Sequence, residues 1–129
     1  MNKLLLSCVG LTMLLLAGCS STADQQKHLE LLAANRASVL NAELPIEQGP
    51  LTIMRASAKG TMIEMMMIYN NDQQGATPIN QVMQSSLQRF CSTPDIRANL
   101  DVGISYRFLV RNPRGQTMVD QSMTKSSCK

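Results

Sequence analysis

The N-terminal stretch constrains this chain most, because it decides which residues fold and in which compartment. Lys3 precedes an apolar run over residues 4–16, and the small residues Ala17 and Gly18 close that run. A run of this length behind a charged start is typical of a secretory signal and is too short for a membrane-spanning helix. The sequence therefore predicts that residues 1–18 are a signal peptide and that the rest of the chain leaves the cytoplasm.

The residue after the predicted cleavage site is Cys19. The sequence Leu-Ala-Gly-Cys that ends there resembles the bacterial lipoprotein signal, which implies that Cys19 is lipid-modified and becomes the first residue of the mature chain. Two or more acyl chains, at about 0.8 kcal/mol per buried methylene, give lasting membrane attachment. Ser20 stands where an aspartate favours inner-membrane retention, so the resemblance points to the outer membrane. An ordinary signal with an incidental cysteine is the alternative.

The chain left after cleavage is long enough for one domain with a modest core. The full sequence has 12 basic and 9 acidic residues, and loss of Lys3 leaves a net charge of +2. Because the basic residues are scattered, this weak charge does not indicate a nucleic-acid partner. We expect a lipidated cysteine and polar tether over residues 19–23 and a single domain over residues 24–129.

Two cysteines, Cys91 and Cys128, remain once Cys8 is removed with the signal and Cys19 takes the lipid. In an oxidising compartment such a pair is predicted to form a disulfide. A loop of this length stabilises the fold by about 4 kcal/mol on the chain-entropy model. Metal binding or a nucleophilic thiol is the alternative, but the spacing of the cysteines and of the one histidine, His28, does not match a ligand set.

Helical periodicity covers two main segments. Thr22 is predicted to cap the first helix, which ends before Pro45 because the residue before a proline is pushed out of helical geometry. The second helix is predicted to start with Thr77 as its cap and Pro78 in its first turn, and residues 94–99 add a short helical stretch. The largely apolar stripes of the two helices consist of Leu29, Leu32, Ala33, Arg36, Ala37, Leu40 and Leu44, and of Ile79, Val82, Met83, Ser86, Leu87, Phe90 and Cys91.

Alternation of apolar and polar residues predicts four strands. Residues 51–57 and 61–69 flank a turn at Gly60 and form a predicted hairpin. Residues 102–111 alternate most clearly, and an Asn-Pro-Arg-Gly turn returns the chain to a last strand over residues 116–124.

The predicted order of elements is helix, hairpin, helix, hairpin. It favours an α+β fold in which a four- to five-stranded antiparallel sheet carries the helices on one face. The predicted disulfide between Cys91 and Cys128 ties the second helix to the last strand.

The residues do not form a catalytic constellation. His28 lies alone near the tether, and Asp72 and Asp120 are expected at or near loops, without the spacing of a paired-carboxylate site. The sequence has neither a glycine-rich phosphate loop nor a metal motif, and its few aromatic residues argue against stacking platforms for sugars or bases. We therefore predict a protein that is not an enzyme and that uses no cofactor, metal or small-molecule substrate.

Methionine is the conspicuous residue type, since eight of the ten methionines follow the signal. The strand over residues 61–69 is apolar on both of its faces, although a sheet covered on one side needs only one apolar face. Methionine is flexible and suits adaptable hydrophobic contacts, so the surplus face is a candidate partner-binding patch. Its members are Met62, Met66, Ile68 and Leu109. The alternative is that the N-terminal helix or the segment 45–50 covers it.

Several motifs together resemble one family. The sequence carries the lipoprotein signal, a first helix ending in Leu-Pro-Ile at residues 44–46, a hairpin with Lys-Gly-Thr at residues 59–61, a helix ending in Gln-Arg-Phe-Cys at residues 88–91, and the strand sequence Gly-Ile-Ser-Tyr at residues 103–106 before Cys128. This pattern resembles the pilotins of the type II secretion system, of the AspS or GspS-beta type, and the likeness spans the whole chain.

The resemblance implies an outer-membrane lipoprotein that binds the C-terminal segment of the secretin subunit and promotes its targeting to, and assembly in, the outer membrane. It also implies a domain facing the periplasm in which helices cover an antiparallel sheet. Two other functions stay open: an envelope lipoprotein that binds or inhibits another periplasmic protein, and an envelope hydrolase acting on peptidoglycan. The sequence offers no pair of acids for the hydrolase.

Overall fold

A computed structural model describes residues 20–129. The predicted signal over residues 1–18, and Cys19 with its predicted lipid, lie outside these residues. No helix in the described range is both long enough and apolar enough to cross a membrane. The elements are α1 (Ser20–Asn41), β1 (Ile46–Gln48), β2 (Leu51–Lys59), β3 (Met62–Tyr69), α2 (Ile79–Ser92), α3 (Pro94–Asp101), β4 (Ser105–Arg111), β5 (Thr117–Met123) and a final 3-10 helix (Lys125–Ser127).

The strands form one five-stranded sheet in the order β1-β2-β3-β4-β5. Neighbouring strands are antiparallel except β3 and β4, which run parallel with Met62 opposite Ser105. The α+β class and the helix-covered sheet are confirmed, but the sheet is mixed and the prediction of an entirely antiparallel one is wrong at this pairing. The reason is that α2 and α3 lie in the connection from β3 to β4, and such a long crossover returns the chain to the end of the sheet at which β3 began.

Helix α1 packs across β2 and β3. Ala33 and Ala37 are buried in this contact, since their small side chains let the helix backbone approach the sheet. Residues 20–23, expected to be a tether, lie within α1, and Thr22 is therefore inside the helix and does not cap it. The helix ends at Asn41, before the predicted stop at Pro45.

The side chain of Asn41 anchors the end of α1 to the sheet. Its Oδ1 accepts a hydrogen bond of 2.9 Å from the backbone N–H of Ala56, next to an irregularity in the pairing of β2 with β3. The chain then turns, and Ile46–Gln48 adds the short edge strand β1, which the periodicity of the sequence did not indicate.

Helices α2 and α3 cover the rest of the same face of the sheet. Pro78 is the residue preceding α2, one position later than the predicted cap at Thr77. Helix α3 ends before Gly103, whose φ of 104° is accessible to glycine at little cost. For this reason Val102 is not part of β4 and is 52 % exposed, although the alternation predicted a strand from this residue onward.

The hydrophobic core lies between the helices and the inner face of the sheet. The ring of Phe108 stacks on that of Phe90 from α2, with 5.0 Å between centroids. Asn99 of α3 donates a hydrogen bond of 2.8 Å from Nδ2 to the buried hydroxyl of Tyr106, so both buried polar groups are paired. The largest fully buried side chains are Tyr69, Phe108, Ile63, Leu100, Ile104, Met123 and Val110.

The predicted disulfide between Cys91 and Cys128 is formed, with 5.5 Å between the two Cα atoms. It joins the last turn of α2 to Cys128, which directly follows the 3-10 helix after β5, and so it closes the helical layer against the end of the sheet. The role predicted for the pair, tying the second helix to the last strand, is confirmed to within the few residues that separate β5 from Cys128.

Candidate functional site

The candidate site lies on the outer face of the sheet, opposite the helices. Because side chains alternate along a strand, register partners in neighbouring strands share a face. Four cross-strand rows make up this outer face from β2 to β5: Thr52-Ile68-Arg111-Thr117, Arg55-Met66-Leu109-Asp120, Ser57-Glu64-Arg107-Ser122, and Lys59-Met62-Ser105.

The structure places all four predicted patch residues on this outer face. Met66 and Leu109 are direct register partners, and Ile68 lies one row away from them. Met62 is separated from Met66 by Glu64, so the apolar surface is interrupted by one carboxylate. All four patch side chains are half-buried.

Neither segment that was considered as a cover lies over the patch. Helix α1 contributes Ala33 and Ala37 to the core on the inner face, and residues 46–48 form the edge strand β1. Within residues 20–129 the cover of Met66 and Leu109 therefore comes from the side chains of neighbouring strands. That the patch binds a partner stays a prediction.

Glu64 centres an ionic network beside the patch. Its Oε2 accepts hydrogen bonds from Lys59 Nζ at 3.1 Å and from Arg107 Nη1 at 2.9 Å. Arg107 also holds Asp120 with two bonds, of 2.8 Å from Nε to Oδ1 and of 2.7 Å from Nη2 to Oδ2. Arg107 thus bridges β3 and β5 from its position on β4.

The network keeps its carboxylates ionised. The hydrogen bond from Lys59, helped by the nearby charge of Arg107, lowers the pKa of Glu64 below its usual value even though the residue is only 7 % exposed. The paired bonds from Arg107 likewise lower the pKa of Asp120, and Asp120 in turn raises the pKa of Arg107. The groups therefore stay charged at neutral pH and hold each other in fixed positions.

The prediction that Asp120 lies at or near a loop is wrong. It lies inside β5, opposite Leu109, and its carboxylate is bound by Arg107. The alternation of β4 does place Arg107 on the same face as Leu109. The other partners, Lys59 and Asp120, come from strands whose register the sequence did not define, and for this reason the network was missed.

Two further arginines border the patch, and among the described residues neither makes an ion pair. Arg55 is the register partner of Met66, and its Nη2 lies 3.9 Å from the Met66 sulfur. Arg111 is the register partner of Ile68 on the other side. Both arginines are exposed, so their guanidinium groups remain available to an incoming ligand.

Other candidate chemistry lies elsewhere. His28 is exposed on α1, and Asp72 is exposed in the loop after β3. In the part of the chain that the structure describes, no three His, Cys, Asp or Glu residues are grouped as a metal site would require. The arrangement on the outer face is suited to binding a surface of mixed apolar and charged character.

Comparison with known proteins identifies relatives along nearly the whole chain. The solved structure of the type II secretion system pilotin AspS from Vibrio cholerae is 58% identical, with a TM-score of 0.78, and covers 84% of this chain and 100% of that one. The curated lipoprotein YghG of Escherichia coli K12 is 26% identical over 126 residues, which are 98% of this chain and 88% of that protein.

A more distant structure shares the fold. It is the cryo-EM structure of an enterotoxigenic E. coli pilotin–secretin complex, AspS with GspD, in which the matched chain is 18% identical with a TM-score of 0.53 and the match covers 76% of this chain and 89% of that one. The family model for the type II secretion system pilotin, S protein, matches residues 25–128. This chain therefore belongs to the type II secretion system pilotin family, and with it to the secretion machinery of the cell envelope.

Proposed function

We propose that this chain is an outer-membrane lipoprotein pilotin that binds the C-terminal segment of the secretin subunit and promotes its targeting and assembly in the outer membrane. The observation that carries the proposal is the match of residues 25–128 to the pilotin family. A relative of the same fold has been solved as a pilotin–secretin complex, which supports the choice of partner. The role is one of binding and delivery, without a catalytic step.

The proposed binding surface is the patch of Met62, Met66, Ile68 and Leu109. An amphipathic segment laid on the outer face would cover these half-buried side chains with its own apolar residues. Fully burying a Met or Leu side chain contributes roughly 1.5–3 kcal/mol, so completing the burial of several gives useful affinity. The flexible methionines adapt to the partner's shape at little cost.

The proposed anchor is Cys19. The signal that precedes it and the naming of the curated relative YghG as a lipoprotein support lipidation at this residue. An acylated Cys19 holds the domain at the membrane, while the outer face of the sheet remains a separate surface for the partner. Delivery and recognition are thus assigned to different parts of the chain.

The test is titration of the purified domain, residues 20–129, with the C-terminal segment of the secretin from the same cell. Saturable binding is expected. The variant Met66→Asp should bind at least about tenfold more weakly, because a carboxylate then has to be desolvated in an apolar contact. It should still fold, since Arg55 lies beside residue 66 and can pair with the new charge.

Leu31→Asp is the matched control, because Leu31 is 65 % exposed on α1 and lies away from the patch. It should leave the affinity unchanged. Circular dichroism melts of the three proteins check that the folds are equal. A folded Met66→Asp domain with full affinity would exclude the patch but not the pilotin role. No binding by the wild-type domain at high concentration would reject the secretin as partner and favour another periplasmic protein.

A further inference from the structure

The charges around the patch fall into two groups. Lys59 and Arg107 are neutralised by Glu64 and Asp120 in the ionic network described above. Arg55 and Arg111 are not paired within residues 20–129. The immediate border of Met66, Ile68 and Leu109 therefore carries an uncompensated positive charge on each side.

The remaining carboxylate that the structure describes on this face, Glu47, does not neutralise the positive charge of Arg55 and Arg111. Glu47 is exposed on the edge strand β1, where it pairs with Thr52 of β2, and makes no ion pair with Arg55. Arg111 is on β4, three strands away from it. An incoming ligand would therefore meet positive charge at both borders of the apolar surface.

The position of the surface indicates the shape of that ligand. It is the face of a sheet and not its edge, so a partner meets side chains and finds no unpaired strand backbone to extend. Arg55 and Arg111 are two strands apart and one row apart, which places their Cα atoms roughly 12 Å from each other. Carboxylates two turns apart on one side of a helix are separated by about 11 Å.

From this geometry we propose that the outer face recognises an acidic amphipathic helix, whose apolar side covers Met66 and Leu109 and whose carboxylates pair with Arg55 and Arg111. The proposal rests on the proposed function, because it takes the secretin segment to be that helix. Beyond that function, it states how the partner is selected. Apolar contact supplies affinity, and the two guanidinium groups favour an acidic segment and set its direction on the sheet.

The experiment measures affinity for the secretin C-terminal segment with the variants Arg55→Glu, Arg111→Glu and their combination. Each single variant should bind about fivefold more weakly and the double variant about 25-fold, since each exposed pair is worth up to roughly fivefold. Arg89→Glu on α2 is the matched control, with the same change of charge on the helical side, and should retain full affinity. Thermal melts verify folding of every variant.

Salt and the partner's own charges supply two further readouts. Raising the ionic strength from about 0.1 M to 1 M shortens the screening length from roughly 10 to 3 Å, so wild-type affinity should fall, whereas the affinity of the double variant should rise because its two new carboxylates repel the acidic segment less. A segment with all its Asp and Glu residues replaced by Asn and Gln should bind wild type more weakly than the unmodified segment does, and it should bind wild type and the double variant about equally.

Three results would overturn the inference. If the double variant binds the secretin segment as tightly as Arg89→Glu does, while Met66→Asp weakens that binding, the proposed function stands but the arginines have no role in it. A wild-type domain that does not bind the segment would remove both. Self-association of the domain in sedimentation experiments, abolished by Met66→Asp, would assign the face to a second copy of this chain.

Discussion

Glu64 is the residue whose environment departs most from its sequence context. It lies in β3 between apolar neighbours, with only 7 % of its surface exposed, and yet it is charged. The charge is tolerated because Lys59 and Arg107 both donate to one of its oxygens. Its role is therefore structural: it fixes two long cationic side chains, Lys59 and Arg107, one on each side of β3.

Replacing this carboxylate by an amide tests that role. Glu64→Gln should lower the free energy of unfolding by about 2 kcal/mol at pH 7, because hydrogen bonds to a charged group are lost. The pKa of Glu64 is lower in the folded state than in the unfolded state. The ionised side chain therefore makes its full contribution to the free energy of unfolding above the unfolded-state pKa, and this contribution is lost as pH falls through the folded-state pKa. The difference between wild type and variant should hold at neutral pH and shrink steadily below about pH 4.5.

Urea denaturation between pH 3 and pH 7 measures this dependence. Glu47→Gln on β1 is the control, since Glu47 is exposed and lies outside the network. Its stability curve should follow that of wild type throughout. A Glu64→Gln curve displaced by the same amount at every pH would contradict the assignment of the lowered pKa to this pair of contacts.

At the scale of elements, the crossover from β3 to β4 organises the molecule. Helices α2 and α3 occupy this connection, cover the inner face, and bring β4 parallel to β3. The disulfide from Cys91 then holds the end of α2 against the chain beyond β5. Because the bridge closes a loop that includes α3, β4 and β5, it restricts the unfolded chain over the C-terminal third of the domain.

Removal of the disulfide should destabilise the domain without changing its fold. In the domain of residues 20–129, Cys91→Ser with Cys128→Ser should reduce the free energy of unfolding by up to about 4 kcal/mol. Urea denaturation with and without a reducing agent is the measurement. The midpoint of wild type should fall to that of the variant on reduction, while the variant itself should not respond. A reductant-insensitive wild type would show that the bridge adds no stability.

For the whole molecule, the two faces of the sheet differ in how they are covered. The inner face is closed by three helices and supplies the core, whereas the outer face keeps half-buried apolar side chains among charged ones. Helix α1 already includes Ser20, and residues 22–28 are exposed along it. The link from the predicted lipid to the domain is thus helical over the described residues.

Loss of the proposed anchor should separate delivery from recognition. In the full-length chain, Cys19→Ala should leave the affinity for the secretin segment unchanged, because Cys19 lies outside residues 20–129, which contain the proposed binding surface. The same change should abolish the outer-membrane location of this chain and of the secretin, which membrane fractionation of cells measures. Ser20→Ala, next to the cysteine, is the control and should fractionate as wild type does. Normal delivery of the secretin by Cys19→Ala would contradict the carrier role.

The sequence by itself determined the local parts of this protein. Alternation in β3 and β4 assigned Met66 and Leu109 to one face and Phe108 to the other, since side-chain direction along a strand depends only on position. The cysteine count and the predicted compartment indicated the bridge between Cys91 and Cys128. The pattern of motifs indicated the family.

Only the tertiary structure decided what depends on register and on long-range pairing. The parallel pairing of β3 with β4, the edge strand β1, and the bridge from Arg107 to both Glu64 and Asp120 each join residues distant in sequence. Turn signals identified the two hairpins β2-β3 and β4-β5. Sequence periodicity does not define a pairing across a long connection such as that from β3 to β4, because this choice is made by the packing of helices on the sheet. For the same reason, only the fold shows that Arg55 and Arg111 lie on either side of the patch.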